Sequence, residues 1–146
     1  MTIGYYYICM LTKHNSAMAE TENFTLKGKK ILIVEDEESN YDLLRIILKK
    51  YKPEIVWAQD GGQAIKRFKE QSFDLILMDL QLPVINGLEA TREIKKIDSD
   101  IPVIAQTAYA MTEDRQKALS AGCDDYIAKP MKRQHLIDLI QKHIAQ

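Results

Sequence analysis

A parallel α/β sandwich built from five strand–helix repeats is the fold that this sequence predicts. Three observations carry the prediction. Five short apolar runs recur about 20–28 residues apart, which is room for a strand and a crossover helix. Amphipathic stretches with helical spacing lie between them. All runs but the last are strongly apolar, as strands covered on both faces should be. Such alternation implies a parallel sheet, and right-handed crossovers place helices on both of its sides.

The elements follow in order from Lys29. The first run is Ile31–Val34, and Leu43, Leu44, Ile47 and Leu48 then share one helical face. The second is Ile55–Ala58, followed by a stripe of Ala64, Ile65 and Phe68. The third is Leu75–Met78, followed by a less regular stripe of Leu88, Thr91 and Ile94. The fourth is Pro102–Ala105. The helix after it is expected to start with Thr112-Glu113-Asp114 as cap and acidic first turn, and to stop at Gly122. The fifth is Tyr126–Ala128, and Leu136, Leu139, Ile140 and Ile144 line the last helix.

In an open parallel sheet the functional crevice lies beyond the carboxyl ends of the strands. Glu35-Asp36-Glu37 follows the first strand, Asp79 the third, Thr107 the fourth, and Lys129-Pro130 the fifth. Parallel strands bring Glu35, Asp36, Asp79, Thr107 and Lys129 to one edge. Taken singly, each has an ordinary explanation: a solvated acidic turn, a structural threonine, a strand-ending lysine. Their joint arrival at one edge does not. Three carboxylates and one ammonium leave a charge of about −2, which a divalent cation would cancel. Oxygen donors favour a hard ion, and Mg2+ is the expected one. An Asp carboxylate is a covalent acceptor for phosphoryl groups, and Lys129 and the Thr107 hydroxyl are placed to contact phosphoryl oxygens.

Composition narrows the field. The chain has 146 residues, 46% hydrophobic and 28% charged, with net charge −1 and pI near 6.3. That suits one domain and gives no overall reason to expect a nucleic acid or an anionic membrane as partner. Cys9 and Cys123 lack metal-ligand spacing and do not form a disulfide framework, so a reducing cytoplasm is expected. Residues 1–27 read as a poorly ordered extension. Its apolar run Ile3–Leu11 is far short of the roughly 18 residues a membrane span needs. Ala17-Met18-Ala19 loosely resembles a cleavage site, but the basic residues that precede a signal-peptide core are missing, and Met18 is an alternative start.

The stretches ILIVEDEESN, FDLILMDLQLPVINGLEATREIK, PVIAQTA and AGCDDYIAKP resemble the receiver domain of two-component response regulators, of the chemotaxis-regulator type. The resemblance runs over residues 30 to 144 and assigns 28–146 to the receiver. It implies a flavodoxin-like (βα)5 fold with strand order 2-1-3-4-5. It implies that Asp79 is the phosphoacceptor and Asp36 a direct Mg2+ ligand. Glu35 would act on the metal through water, and the backbone carbonyl of Gln81 would be a further ligand. Lys129 would pair with the phosphoryl group and with Asp79. Thr107 would be the switch hydroxyl, the Ala108 amide would hold a phosphoryl oxygen, and Tyr126 would be the switch aromatic, otherwise a half-buried strand residue. A cis bond before Pro130 would aim Lys129.

Glu35 stands where Asp is commoner in the family, which lengthens its reach. Asn86-Gly87 replaces Asp-Gly, a change that the turn tolerates. Tyr109 occupies a position that influences phosphoryl lifetime, and its ring is expected to shield the group from water. The implied donor is a phosphohistidine on a histidine kinase or histidine phosphotransfer protein, docking around Glu38, Asn40 and Tyr41. Phosphorylation would change the surface of the fourth helix, fifth strand and fifth helix, and a homodimer formed on phosphorylation is compatible with this. The receiver would catalyse only its own phosphorylation and dephosphorylation. Sixteen residues follow Pro130, too few for a DNA-binding domain, so a stand-alone receiver or a piece of a hybrid sensor kinase is expected.

Three rival readings fit the residues less well. A phosphohydrolase with an Asp nucleophile wants a second Asp two residues on, where Gln81 stands. A flavin-binding domain needs a small-residue phosphate loop where Glu35–Glu38 would repel the phosphate. A degenerate receiver that only binds partners would have lost a key residue, and none is missing.

Overall fold

In a computed structural model that describes residues 23–108 and 111–144, the apolar runs become β1 (Lys30–Val34), β2 (Glu54–Ala58), β3 (Leu75–Asp79), β4 (Val103–Thr107) and β5 (Asp125–Ala128). The stretches between them become α1 (Glu38–Lys49), α2 (Gly61–Glu70), α3 (Gly87–Ile97), α4 (Thr112–Ala121) and α5 (Arg133–Ile144). All strand pairings are parallel and the sheet order is β2-β1-β3-β4-β5, the order the resemblance implied. β3 and β4 are buried along their whole length, whereas β2, at the sheet's edge, is only partly covered.

Strand alternation sends side chains to two cores. Ile31, Ile33, Leu75, Leu77, Ile104 and Ile127 pack against α1 and α5. Leu32, Ile76, Met78, Val103 and Ala105 pack against α2, α3 and α4. Burying each of the larger side chains contributes about 1.5–3 kcal/mol, which is what holds the helices to the sheet. Phe24 and Leu26, within the expected extension, join the first core: Leu26 is fully buried and its N–H donates to the Tyr51 carbonyl at 2.7 Å. Residues 1–22, with Cys9, lie outside the described residues, as does Tyr109.

The helix stripes differ from expectation in particular residues. Leu44 and Leu48 are buried but Leu43 is half exposed, and Leu119 is exposed beside buried Ala118. Spacing identifies a helical face but not how much of it a neighbour covers. Thr112 is the first residue of α4 and not its cap; Met111 holds the cap position without a side-chain hydrogen bond. Glu113 and Asp114 do occupy the first turn, and Gly122 ends the helix at φ 106°, a conformation that disfavours a side chain. Side-chain caps form at α2 from Asp60 and at α3 from Asn86, whose oxygen accepts from the Glu89 N–H at 3.0 Å. Among the described residues no helix is long and apolar enough to cross a membrane.

Candidate functional site

The carboxyl edge of the sheet carries a cluster of charged side chains. Glu35 follows β1 and Asp79 ends β3, and both are almost wholly buried. Lys129 follows β5 and reaches between them: its Nζ donates to Glu35 Oε2 at 2.8 Å and to Asp79 Oδ2 at 2.9 Å. Asp36, next along the β1–α1 loop, is exposed. One carboxylate oxygen from each of Glu35, Asp36 and Asp79 lies within 4.8 Å of the others. The sequence thus placed Glu35, Asp36, Asp79 and Lys129 in one group, and the fold brings them together.

Backbone donors complete the arrangement. The Gln81 N–H donates to Asp79 Oδ1 at 2.9 Å and the Glu37 N–H to Glu35 Oε1 at 3.2 Å. Gln81 is therefore beside the Asp79 carboxylate through its backbone, while its side chain is exposed. Burial pushes the Glu35 carboxyl above its ordinary value, against the pull of the Lys129 hydrogen bond. Burial pulls the Lys129 ammonium down, but its hydrogen bonds to Glu35 and Asp79 outweigh this, and the net direction is up. The lysine stays charged because it is paired with two buried acids.

Thr107 ends β4 and is buried, and its carbonyl accepts from the Lys129 N–H at 2.7 Å. The Lys129–Pro130 peptide is cis. Ala108 follows, exposed at the same edge. Tyr126 pairs with Ala105 and packs, half-buried, against the second core, with the Arg115 guanidinium 5.6 Å from its ring centroid. By strand alternation Thr107 and Tyr126 share that face of the sheet, and Asp79 and Glu35 belong to the other.

Two residues that the sequence reading passed over also sit here. Trp57, on β2, donates its indole N–H to the Glu35 carbonyl at 2.8 Å and stacks on Tyr41 of α1. Gln106 pairs with Asp79 in the β3–β4 register, and neither atom of its buried side-chain amide has a hydrogen-bond partner. A tryptophan in a strand reads as packing, and a glutamine just past an apolar run carries no spacing signal.

All the clustered donors are hard oxygens, with one ammonium against three carboxylates, so the set fits a small divalent cation such as Mg2+.

Comparison with known proteins gives the group its setting. The family model for the response regulator receiver domain matches residues 31–141. The chain is 46% identical over 113 residues to the autoinducer 2 sensor kinase/phosphatase LuxQ of Vibrio vulnificus, covering 77% of this chain but 13% of that protein. The receiver domain of the sensor histidine kinase PA1611 from Pseudomonas aeruginosa, solved with magnesium in its active-site cleft, is 39% identical with a TM-score of 0.76, over 81% of this chain and 98% of that one. The receiver domain of Ssk1 from Saccharomyces cerevisiae, crystallised with the histidine phosphotransfer protein Ypd1, superposes with a TM-score of 0.79 at 32% identity, over 84% and 92% of the two chains. Sequence, sheet order and likeness to solved receivers agree: the chain belongs to the response regulator receiver domain family, the phosphoacceptor signalling domain of two-component systems.

Proposed function

We propose that this receiver takes a phosphoryl group onto Asp79 from a phosphohistidine of a histidine kinase or histidine phosphotransfer protein. An Asp79 carboxylate oxygen attacks phosphorus, the P–N bond to the donor histidine breaks, and the histidine recovers a proton from solvent. Glu35, Asp36, Asp79 and the Gln81 carbonyl would hold Mg2+, which when bound neutralises phosphoryl charge. Lys129 contacts a phosphoryl oxygen, and the Thr107 hydroxyl and Ala108 amide take the others. The observation that carries the reading is the buried Asp79 carboxylate within reach of Glu35, Asp36 and Lys129.

Once Asp79 is modified, Thr107 moves toward the new oxygens and Tyr126 turns into the space it leaves. This shifts the population of the α4–β5–α5 surface. The donor docks around Glu38, Asn40 and Tyr41 at the start of α1, beside the acidic loop. A phosphorylation-dependent homodimer through the switched surface is compatible with this, and nothing in the charge calls for nucleic acid or membrane contact. The receiver is residues 28–146 with Phe24 and Leu26 packed onto it, and it catalyses its own phosphorylation and dephosphorylation. A stand-alone receiver and one derived from a hybrid sensor kinase both fit a match to 13% of LuxQ, and a cytoplasmic setting suits either role.

The test is incubation with acetyl phosphate and Mg2+ followed by intact mass. A single phosphoryl adduct, absent from Asp79→Asn and absent with a chelator, is the expected result. An adduct that persists in Asp79→Asn overturns the assignment.

A further inference from the structure

We infer that Trp57 is a positioning residue for the metal site, fixing the peptide between Glu35 and Asp36 and through it the aim of the Asp36 carboxylate. The inference rests on the reading of Glu35, Asp36 and Asp79 as a Mg2+ site.

Two consecutive residues of β2 hold Glu35 from both ends. Its N–H donates to the Ala58 carbonyl at 3.0 Å, and its carbonyl accepts from Trp57 Nε1 at 2.8 Å. These groups belong to the peptides on either side of the Glu35 Cα, so both backbone dihedrals of Glu35 are tied to β2, and with them the position of the Asp36 Cα. Asp36 is exposed, and its orientation derives from the backbone that carries it. The indole is itself locked. Tyr41 stacks on it with ring centroids 4.2 Å apart and planes 4° from parallel, an area-rich contact that fixes the ring's rotamer. A half-buried tryptophan at a sheet edge can satisfy its N–H with water, so packing alone does not require this acceptor. Groups that orient metal ligands in this way contribute measurably to affinity, and their loss commonly weakens metal binding ten- to a hundredfold, as an order of magnitude. A tie to the backbone of one ligand belongs at the low end of that range.

Trp57→Phe and Trp57→Tyr both keep an aromatic ring on Tyr41 and lack the indole N–H. Unfolding midpoints are measured across a Mg2+ titration for the full chain, each variant and Ile55→Val, which loosens the same strand away from the loop. The expected result is a Mg2+ dissociation constant raised about tenfold in the Trp57 variants. Ile55→Val should lose stability without Mg2+ yet keep the parent's constant. In the parent, emission from the chain's single tryptophan should change over the same Mg2+ range. A parent-like constant in whichever Trp57 variant folds overturns the positioning role. A parent whose midpoint ignores Mg2+ overturns the metal-site reading and this inference with it.

Discussion

Adding one methyl group at Gly87 should uncouple the stability of the fold from the competence of the site. Gly87 opens α3, and its N–H donates to the Leu80 carbonyl at 3.2 Å, so the helix start lies directly on the backbone that follows β3. A Cβ there would overlap the Asp79 carbonyl oxygen and lie 2.8 Å from the Leu80 Cα and 2.9 Å from the Asp79 carbonyl carbon. All three are backbone atoms and cannot swing aside. Restoring ordinary contact requires the helix start or the Asp79–Leu80 peptide to move by roughly 1 Å. Overpacking of this kind costs about 1–3 kcal/mol, and the better helix propensity of Ala returns up to about 1 kcal/mol. A net loss of about 1–2 kcal/mol lowers the melting temperature of a domain this size by roughly 4–8 °C. The effect on chemistry should be larger. A displacement of about 1 Å at a reacting carboxylate can cost up to about a hundredfold in rate. Urea unfolding gives the first quantity, and the rate of phosphoryl adduct formation with acetyl phosphate and Mg2+ gives the second. Gly62→Ala is the control, because its nearest neighbours are side-chain atoms, Asp60 Oδ1 at 3.1 Å and Ile85 Cδ1 at 3.7 Å. A Gly87→Ala protein with parental stability and parental rate would refute the reasoning.

Lys129→Met leaves two buried carboxylates without their shared cation. It should destabilise the metal-free protein by about 3 kcal/mol in urea unfolding, with part of the loss recovered by Mg2+. Val84, a β-branched residue at φ 65° and 90% exposed, should give way to Asn with a gain of roughly 1 kcal/mol, read from the same curves; a loss would mean the loop needs its side chain. Burial pushes the Cys123 thiol up to about 11 from an ordinary 9.0, so the folded state favours the neutral form. Its contribution to stability is complete below pH 9 and is lost as pH climbs toward 11, so between those values a Cys123→Ala protein should lose less stability than the parent. The depressed carboxyl of Asp125, held against its burial by hydrogen bonds from Lys142 and His143, contributes above its ordinary 3.8 and fades as pH falls below it. Asp125→Asn should therefore flatten the acid limb of the stability curve, and an unchanged limb would show that the exposed Lys142 and the His143 contacts contribute little.

The sequence made the strands and their order of appearance legible, because a doubly covered parallel strand is a dense apolar run with sharp ends. It made the charged cluster legible for a topological reason. In parallel strands the residue after each run must arrive at the same edge, so Glu35, Asp79 and Lys129 were bound to meet. The unreadable part depended on neighbours. Leu43 and Leu119 carry the helical spacing of buried residues, yet what covers α1 and α4 is a matter of packing geometry. Trp57 was hidden for the same reason: its acceptor is a main-chain carbonyl 22 positions away, and no side-chain pattern announces a backbone partner. Gln106 reads as an interruption of a strand, and its place beside Asp79 follows only from the β3–β4 register.

The glutamate at position 35 acquires a physical reason once the contacts are known. Its side chain is fully buried, yet Oε2 meets Lys129 at 2.8 Å while Oε1 accepts the Glu37 N–H at 3.2 Å. A buried carboxylate is tolerated only when both oxygens are satisfied, and the extra methylene gives the reach to do so without withdrawing Lys129 from Asp79. One ammonium thereby pairs with two acids in the resting state and offsets one of their two charges. A phosphoryl group on Asp79 would bring a further charge of roughly −1 and draw the same ammonium toward itself, weakening its bond to Glu35. The pairing that stabilises the unmodified site is therefore the one that modification disturbs. The β1–α1 loop, which carries Asp36 and leads into α1, would feel phosphorylation directly through Glu35.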